Sequence, residues 1–310
     1  MFSARLAALV LACACFAACT APSYAPSSHI ANVTAGVSVP YPSTTGSVEA
    51  VTNGQNIYLC QNGVCNVCKA PGTGNVGTAT TSANPDDAQP AGNILVANRS
   101  HHEIVQFNSA CVETHMPYLD SGYYPNDVGV ARSGMIAVTN EYSTSYGPGN
   151  IKFYPKNANP YVATGLFEFF YFGAFDARGN FFNDGIGLSG GAGVGVVPAG
   201  SKVDRPAGIS GVTSPEGMQI ARNGTLNIID LGCSCIRIYK GKSHVGNITL
   251  SDAIKPISLA LNQKNDRVWV TDATTGTVDV YPYPRGGKPV GMLKGFRSAF
   301  GVGILPASEP

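Results

Sequence analysis

The sequence has little charge and few of the residues that long helices need. Only 13% of its 310 residues are charged, whereas it contains 37 Gly and 21 Pro. Long amphipathic helices are built mainly from Ala, Leu, Glu and Lys, so this balance favours many short strands joined by many turns. The length allows one large domain or two ordinary ones.

The sequence also lacks a run of basic residues and an acidic tail, and its formal net charge is +1. Nucleic-acid binding needs a concentrated positive surface, because much of the affinity comes from the release of counterions. The pattern therefore argues against a nucleic-acid partner. A protein or a small molecule remains open as the ligand.

A long apolar run is missing as well. The apolar stretch from Leu6 to Ala18 follows a single basic residue, Arg5, and is too short to span a bilayer comfortably. This arrangement predicts a signal peptide over residues 1–18 and export from the cytoplasm.

The signal ends in "FAAC", residues 16–19, which resembles the bacterial lipobox. The resemblance implies that Cys19 becomes the lipidated first residue and holds the protein on a membrane of the cell envelope. The lipobox usually has Leu where Phe16 stands, and cleavage near residues 23–25 is the alternative. Residues 19–46 are rich in Pro, Ser and Thr, which predicts a tether ahead of a main domain at 47–310.

One hairpin pattern recurs along the main domain. In "DRVWVTDATTGTVDVYPYP", residues 266–284, two β-branched and aromatic runs flank a turn, which predicts a β-hairpin. Similar patterns occur at 56–68, 92–107, 134–154, 179–197 and 224–239.

The residue that ends the first run of each hairpin is Asn, Asp or Cys. These residues are Cys60, Asn98, Asn140, Asp184, Asp230 and Asp272, at intervals of 38, 42, 44, 46 and 42 residues. With further short strands before and after the hairpins, this is the period of a four-stranded β-propeller blade. We expect an all-β propeller of six blades, closed by N- and C-terminal strands, with a seventh blade left open.

Residues 214–239 and 255–281 show the unit best: a Pro, an apolar strand, a Gly or Asn turn, a strand ending in Asp, and a strand ending in Tyr. The pattern resembles NHL-repeat and gluconolactonase-like six-bladed propellers. Such a resemblance implies the fold and leaves the function open.

Two local patterns favour structural roles. An Asn or Asp at a strand end usually bonds the backbone of the following turn, so we expect this of the repeated Asn and Asp residues. The G-x-G-x-x-G pattern in residues 184–195 lies between two strands, whereas a dinucleotide site needs a strand followed by a helix. It predicts a hairpin loop.

Six cysteines remain after the signal and the anchor, an even number that suggests disulfides in an exported chain. In "CQNGVC", a two-residue Asn-Gly turn would place Cys60 and Cys65 opposite each other, about 4.5 Å apart at Cα, so we predict a bridge between them. The pairing of the other four is left open: Cys68, Cys111, Cys233 and Cys235.

The gluconolactonase resemblance implies a divalent cation held at the propeller axis. "PND" and "PEG", residues 125–127 and 215–217, match two of the ligand positions, which makes Asn126 and Glu216 candidate ligands for Ca²⁺. The matching places in other repeats, residues 255–258 and 172–175, lack a second carboxylate, so the ligand set is half empty.

Tyrosines cluster in two predicted loops, residues 120–127 and 140–150, as Tyr123, Tyr124, Tyr142 and Tyr146. Tyr among Ser and Gly gives an adaptable recognition surface, although such rings also pack on adjacent blades. The sequence thus predicts a non-catalytic module that needs no cofactor and binds a ligand or protein at the cell envelope. The alternative is a Ca²⁺-dependent, lactonase-like hydrolase.

Overall fold

The computed structural model describes residues 48–52, 57–61, 64–68, 76–81, 94–99, 101–108, 112–163, 165–262, 264–296 and 299–305. The predicted signal peptide, the tether and Cys19 lie outside the described residues. Within the described residues, every regular element is a strand, and no helix there is long and apolar enough to cross a membrane.

The described strands form six antiparallel four-stranded sheets, numbered here along the chain. Sheet 1 has the order β24-β1-β2-β3, with β1 at Val48–Thr52, β2 at Ile57–Gln61, β3 at Val64–Cys68 and β24 at Gly301–Leu305. Sheet 2 contains β4 Val76–Thr81, β5 Ile94–Asn98, β6 Glu103–Phe107 and β7 Glu113–Leu119. Sheet 3 contains β8 Tyr123–Val130, β9 Ile136–Ser143, β10 Pro148–Tyr154 and β11 Tyr161–Ala163.

The remaining three sheets follow the same plan. Sheet 4 contains β12 Phe169–Phe175, β13 Phe181–Ile186, β14 Ala192–Val197 and β15 Arg205–Pro206. Sheet 5 contains β16 Pro215–Ile220, β17 Leu226–Asp230, β18 Cys235–Lys240 and β19 Ser243–Thr249. Sheet 6 contains β20 Pro256–Leu261, β21 Arg267–Asp272, β22 Thr277–Pro282 and β23 Gly291–Leu293.

The expected all-β propeller is confirmed. Five of the described sheets consist of four consecutive strands, so the structure has five complete blades of the expected kind and not six. Sheet 1 is composite, because β24 from the end of the chain pairs with β1 from its beginning, with Val48 opposite Leu305.

The first three strands of sheet 6 are covered on both sides by neighbouring parts of the fold, which explains their nearly continuous apolar sequences. Every residue of β20 and β22 is buried, and Trp269 in β21 is fully buried. A sheet with one free surface would alternate apolar and polar residues, whereas a blade packed between two others buries both sides. This burial provides the main stabilisation of the fold.

The first strands of neighbouring sheets approach each other closely. A Cβ added to Gly217 in β16 would lie 2.7 Å from the carbonyl oxygen of Ile257 in β20. Such contacts do not occur for real Cβ atoms, so this position requires glycine for close backbone packing.

The sheets have two ends. We call the end that carries the turns between second and third strands the upper face, and the end that carries the turns between first and second strands the lower face. Strands alternate in direction within each sheet, so the first strands begin at the upper face and end at the lower face.

Buried aspartates at the upper ends of the second strands tie the loops together. The Asp272 carboxylate accepts backbone N–H bonds from Ile254 and Lys255 before the sheet, and from Thr274 and Thr275 in the following turn. The expected bond to the following turn is therefore present, and the same side chain also holds the loop that precedes the sheet.

Asp230 repeats the arrangement in sheet 5. Its carboxylate accepts backbone N–H bonds from Thr213, Ser214 and Gly232. It also forms an ion pair with Arg237 at 2.5 Å. Burial alone would raise its pKa, but the bonds from Arg237, Ser214 and Thr213 lower the pKa to about 2. Asn98 and Asn140 depart from this pattern, since their amides donate to the side chains of other residues.

We expect Asp230→Asn to lower the free energy of unfolding at neutral pH by about 2 kcal/mol, because a pKa depressed from 3.8 to about 2 is a stability contribution of that order. The contribution is complete above about pH 4 and is lost as the pH falls towards about 2. Urea unfolding at neutral and acid pH measures it. Asp252→Asn, at an exposed carboxylate, is the matched control. Equal losses in the two variants would contradict the assignment.

Candidate functional site

The candidate site lies at the upper face, where the first strands begin. Five first strands carry a register shift near this end, in β4, β8, β12, β16 and β20. A β-bulge turns a side chain out of its regular alternation, and bulges are common beside functional sites. The shifted segments contain Asn126 in β8, Tyr171 in β12 and Glu216 in β16.

One hydrogen bond and one electrostatic interaction link these positions across the sheets. The Asn126 amide donates to the carbonyl oxygen of Tyr171 at 2.7 Å. The Glu216 carboxylate raises the pKa of Tyr171, although burial and Glu141 contribute more. Asn126 and Glu216, predicted as a pair from the sequence, thus belong to one polar cluster, which we call the axial mouth.

Arg99, from the turn after β5, occupies the centre of this cluster. Its guanidinium donates to Oδ1 of Asn126 at 2.8 Å and forms an ion pair with Glu141 of β9 at 2.5 Å. Both side chains of the ion pair are largely buried. A partly buried guanidinium that bonds two side chains through different nitrogens fixes the relative positions of those side chains.

Glu216 is the most perturbed acid of the axial mouth. Burial raises its pKa to about 7, and the Glu141 carboxylate adds to the rise, whereas the Lys255 ammonium opposes it. Close to this cluster, Asp184 accepts from the Phe172 N–H and is completely buried, and burial raises its pKa well above the usual value, with a further rise from Glu216. The site therefore holds less negative charge near neutral pH than its carboxylates suggest.

The described residues do not fit the expected calcium site. A calcium ion needs six to eight oxygen ligands, several of them charged. Here the Asn126 oxygen already accepts from Arg99, and Lys255 offsets the Glu216 charge. Among the described residues, no group of three or more His, Cys, Asp or Glu could hold a metal ion.

An aromatic cluster adjoins the axial mouth. The Tyr142 ring lies 4.8 Å from Tyr124, 6.1 Å from Tyr146 in a stacked arrangement, and 6.5 Å from Phe169, measured between ring centroids. The Arg99 guanidinium is 6.0 Å from the centre of the Tyr142 ring, within range of a cation–π contact. We call Tyr124, Tyr142, Tyr146 and Phe169 the tyrosine cluster.

The structure thus brings three of the four predicted tyrosines together. For the fourth, Tyr123, the structure shows a backbone contact: its carbonyl oxygen lies 2.5 Å from Nδ1 of His102. Sequence reasoning missed Arg99 and Glu141, yet each directly follows a repeated residue, Asn98 or Asn140. That shared position was the available signal.

The cysteines and the glycine loop have structural roles. Cys233 and Cys235 form a disulfide, with Cα atoms 5.2 Å apart. Cys60 is buried and disulfide-bonded, and Cys65 is its cross-strand partner in the backbone register. The Cys65 side chain lies outside the described residues, so their bridge remains a prediction.

The side chains of Cys68 and Cys111 also lie outside the described residues, so their pairing stays open. The glycine-rich segment joins β13 to β14 as a hairpin loop, as expected.

No protein-family model and no curated protein sequence matches this chain. Solved structures do match in fold. A nidogen β-propeller from a nidogen–laminin complex superposes with a TM-score of 0.69 at 11% identity, over 84% of this chain and 99% of that one. A gluconolactonase from Xanthomonas campestris gives a TM-score of 0.55 at 16% identity, over 76% of this chain and 85% of that one. At these identities the matches show the β-propeller fold alone.

We expect calcium to give no saturable stabilisation, because Arg99 already bonds the Asn126 oxygen and the Lys255 charge opposes a second cation beside Glu216. A thermal-shift titration with CaCl₂ up to about 10 mM, above the weakest protein calcium sites, tests this. A saturable rise in melting temperature that Asn126→Ala and Glu216→Ala both abolish would contradict it. Asp266→Asn, at an exposed carboxylate in the turn between β20 and β21 at the lower face, serves as the control.

Proposed function

We propose that the chain is an exported, non-catalytic β-propeller that binds a protein partner through its upper face. The observation that carries the proposal is the exposure of large apolar side chains in and beside the tyrosine cluster. Tyr146 is 86% exposed and Leu188 is 83% exposed. Exposed apolar groups rimmed by polar residues are typical of protein interaction sites.

The two loops that carry these residues form one surface. The Gly149 N–H donates to the Glu168 carbonyl at 2.7 Å, and the Glu168 N–H donates to the Ile186 carbonyl at 2.8 Å. These bonds link the hairpin turn that carries Tyr146 in sheet 3 to the turn that carries Leu188 in sheet 4. A rigid frame presents both side chains, which reduces the entropy lost on binding.

The axial mouth supplies polar groups next to this apolar surface. Arg99 and Tyr142 join the two, since the guanidinium bonds Glu141 and lies over the Tyr142 ring. Arg and Tyr are enriched among the residues that contribute most to protein interfaces. The nidogen–laminin complex supports the proposal as an example of a similar propeller found in a protein complex.

We also propose that sheet 1 is a sixth blade and that it closes the ring. Its support is the pairing of β24 with β1 and the series of contacts between first strands, in which β24 lies against β20 on one side and β4 on the other. Closure by terminal strands removes the last exposed sheet edges.

The place of action follows from the N-terminal sequence. We propose that lipidated Cys19 and the tether of residues 19–46 hold the propeller at a membrane of the bacterial cell envelope. The tether would let the upper face reach a partner at or near the membrane.

A lactonase-like hydrolase is the second candidate. Two observations favour it: the gluconolactonase fold match, and the Glu216 pKa of about 7, a value suited to acid–base chemistry. The calcium-dependent form of this candidate is weakened by Arg99, which bonds the oxygen that a metal would need.

We expect Tyr146→Ser/Leu188→Ser to lose a specific partner, because the variant removes the most exposed apolar contacts of the upper face. The measurement is crosslinking and affinity capture of the lipidated protein from its native envelope, with wild type and variant compared by quantitative mass spectrometry. A partner of the upper face should fall at least about tenfold, as expected for the loss of central interface contacts.

The matched control is Val203→Ser/Val245→Ser, which removes two exposed valines near the outer strands. Partners that both variants retain, or that both lose equally, would contradict binding through the upper face. Purified partner and propeller then give the affinities directly.

We expect Cys19→Ser to abolish incorporation of labelled palmitate and to release the protein from membranes, because a lipidated Cys19 is the proposed attachment. Cys233→Ser, which leaves the proposed anchor intact, is the control. Labelling that persists in Cys19→Ser, or a mature N-terminus near residues 23–25, would show ordinary cleavage in place of lipidation.

A further inference from the structure

A large cavity lies along the axis and reaches the lower face. It has a volume of about 450 Å³ and is walled by the first strands of sheets 3 to 6 and by β24. At its lower end it is lined by the turns that follow these strands, and three of those turns contribute an arginine: Arg132, Arg178 and Arg222.

The three turns are built alike. In each, the N–H of a glycine donates to the carbonyl oxygen three residues earlier, at Gly134, Gly179 and Gly224. All three glycines have a φ near +80°, a conformation that favours glycine. Arg132 and Arg222 occupy the second position of the turn and Arg178 the third. The repeat therefore delivers a guanidinium to the same end of the axis from three consecutive sheets.

Two of the three positive charges at this end, those of Arg178 and Arg222, are poorly compensated. The side chains of Arg178 and Arg222 form no hydrogen bond or ion pair within the described part of the chain. Asp176, the acidic neighbour, is engaged in its own turn, where it accepts from the backbone of Arg178 and Asn180 and from the Asn180 amide. Asp127, the other carboxylate of the cavity, is buried and accepts from the Gly173 N–H.

A second cavity of about 340 Å³ adjoins the first and shares Arg132 and Arg178 with it. Its wall includes Phe153 and Tyr161, whose rings stack 5.0 Å apart. The Lys202 ammonium lies 5.3 Å from the centre of the Tyr161 ring and adds a fourth cation to this region.

We propose that the lower end of the axial cavity binds an oxyanion of the phosphate type, held by Arg132, Arg178 and Arg222. Guanidinium groups bind phosphate through paired N–H bonds and stay charged at all physiological pH values. The cavity has room for a small phosphorylated molecule or for the headgroup of an anionic lipid. This anion site is on the face opposite the proposed protein-binding surface. The two proposals can therefore be tested independently of each other.

The experiment is a calorimetric titration of the full chain with inorganic phosphate at low ionic strength. We expect saturable binding that weakens at least about tenfold in Arg178→Ala/Arg222→Ala, because each charge-assisted bond to the anion contributes strongly. Arg178→Lys/Arg222→Lys keeps the charge but loses the paired N–H geometry, so it should bind between wild type and the alanine variant.

Lys156→Ala/Lys288→Ala is the matched control, since it removes two exposed cations that line neither cavity. Vesicles with and without phosphatidylglycerol distinguish the source of the anion. Binding of free phosphate indicates a soluble ligand, and binding only to anionic vesicles indicates a lipid headgroup, provided that the arginine pair is required. No binding of either probe, or equal losses in the control, would overturn the proposal.

Discussion

The order of the upper face depends on buried carboxylates that accept backbone N–H groups at the upper ends of two second strands. Asp230 and Asp272 each bond the loop before their sheet and the turn within it. Both are completely buried. Burying a charge costs free energy unless it is bonded, so each carboxylate is stable only while both loops keep their places. This constraint makes the upper face a rigid frame.

The frame explains why the axial mouth is already neutralised from within. Arg99 reaches across from sheet 2 to two residues of sheet 3, Asn126 and Glu141, and its positive charge balances the Glu141 carboxylate. A site of this kind suits recognition by shape and hydrogen bonding, whereas a metal-dependent hydrolase needs oxygen ligands left open for the ion.

Much of the fold could be predicted from the sequence, because hairpins are local. The spacing of Asn140, Asp184, Asp230 and Asp272 gave the repeat, and alternating runs around short turns gave the strands. The composition of sheet 1 was harder to predict, because its pairing joins strands from the two ends of the main domain, which are far apart in sequence. The site was predicted in part: Asn126 and Glu216 do share a cluster, but their partners came from other sheets.

The sequence by itself determined the hairpins, the buried apolar strands and the turns with their glycines, because each depends on neighbours along the chain. Only the tertiary structure decided which side chains meet around the axis. It gave Asn126 a guanidinium partner, and it gathered Arg132, Arg178 and Arg222 at one cavity. A nearly neutral sequence with evenly spread charges does not reveal this cluster of arginines. Each repeat contributes a single arginine, and only the stacking of the repeats brings the arginines together.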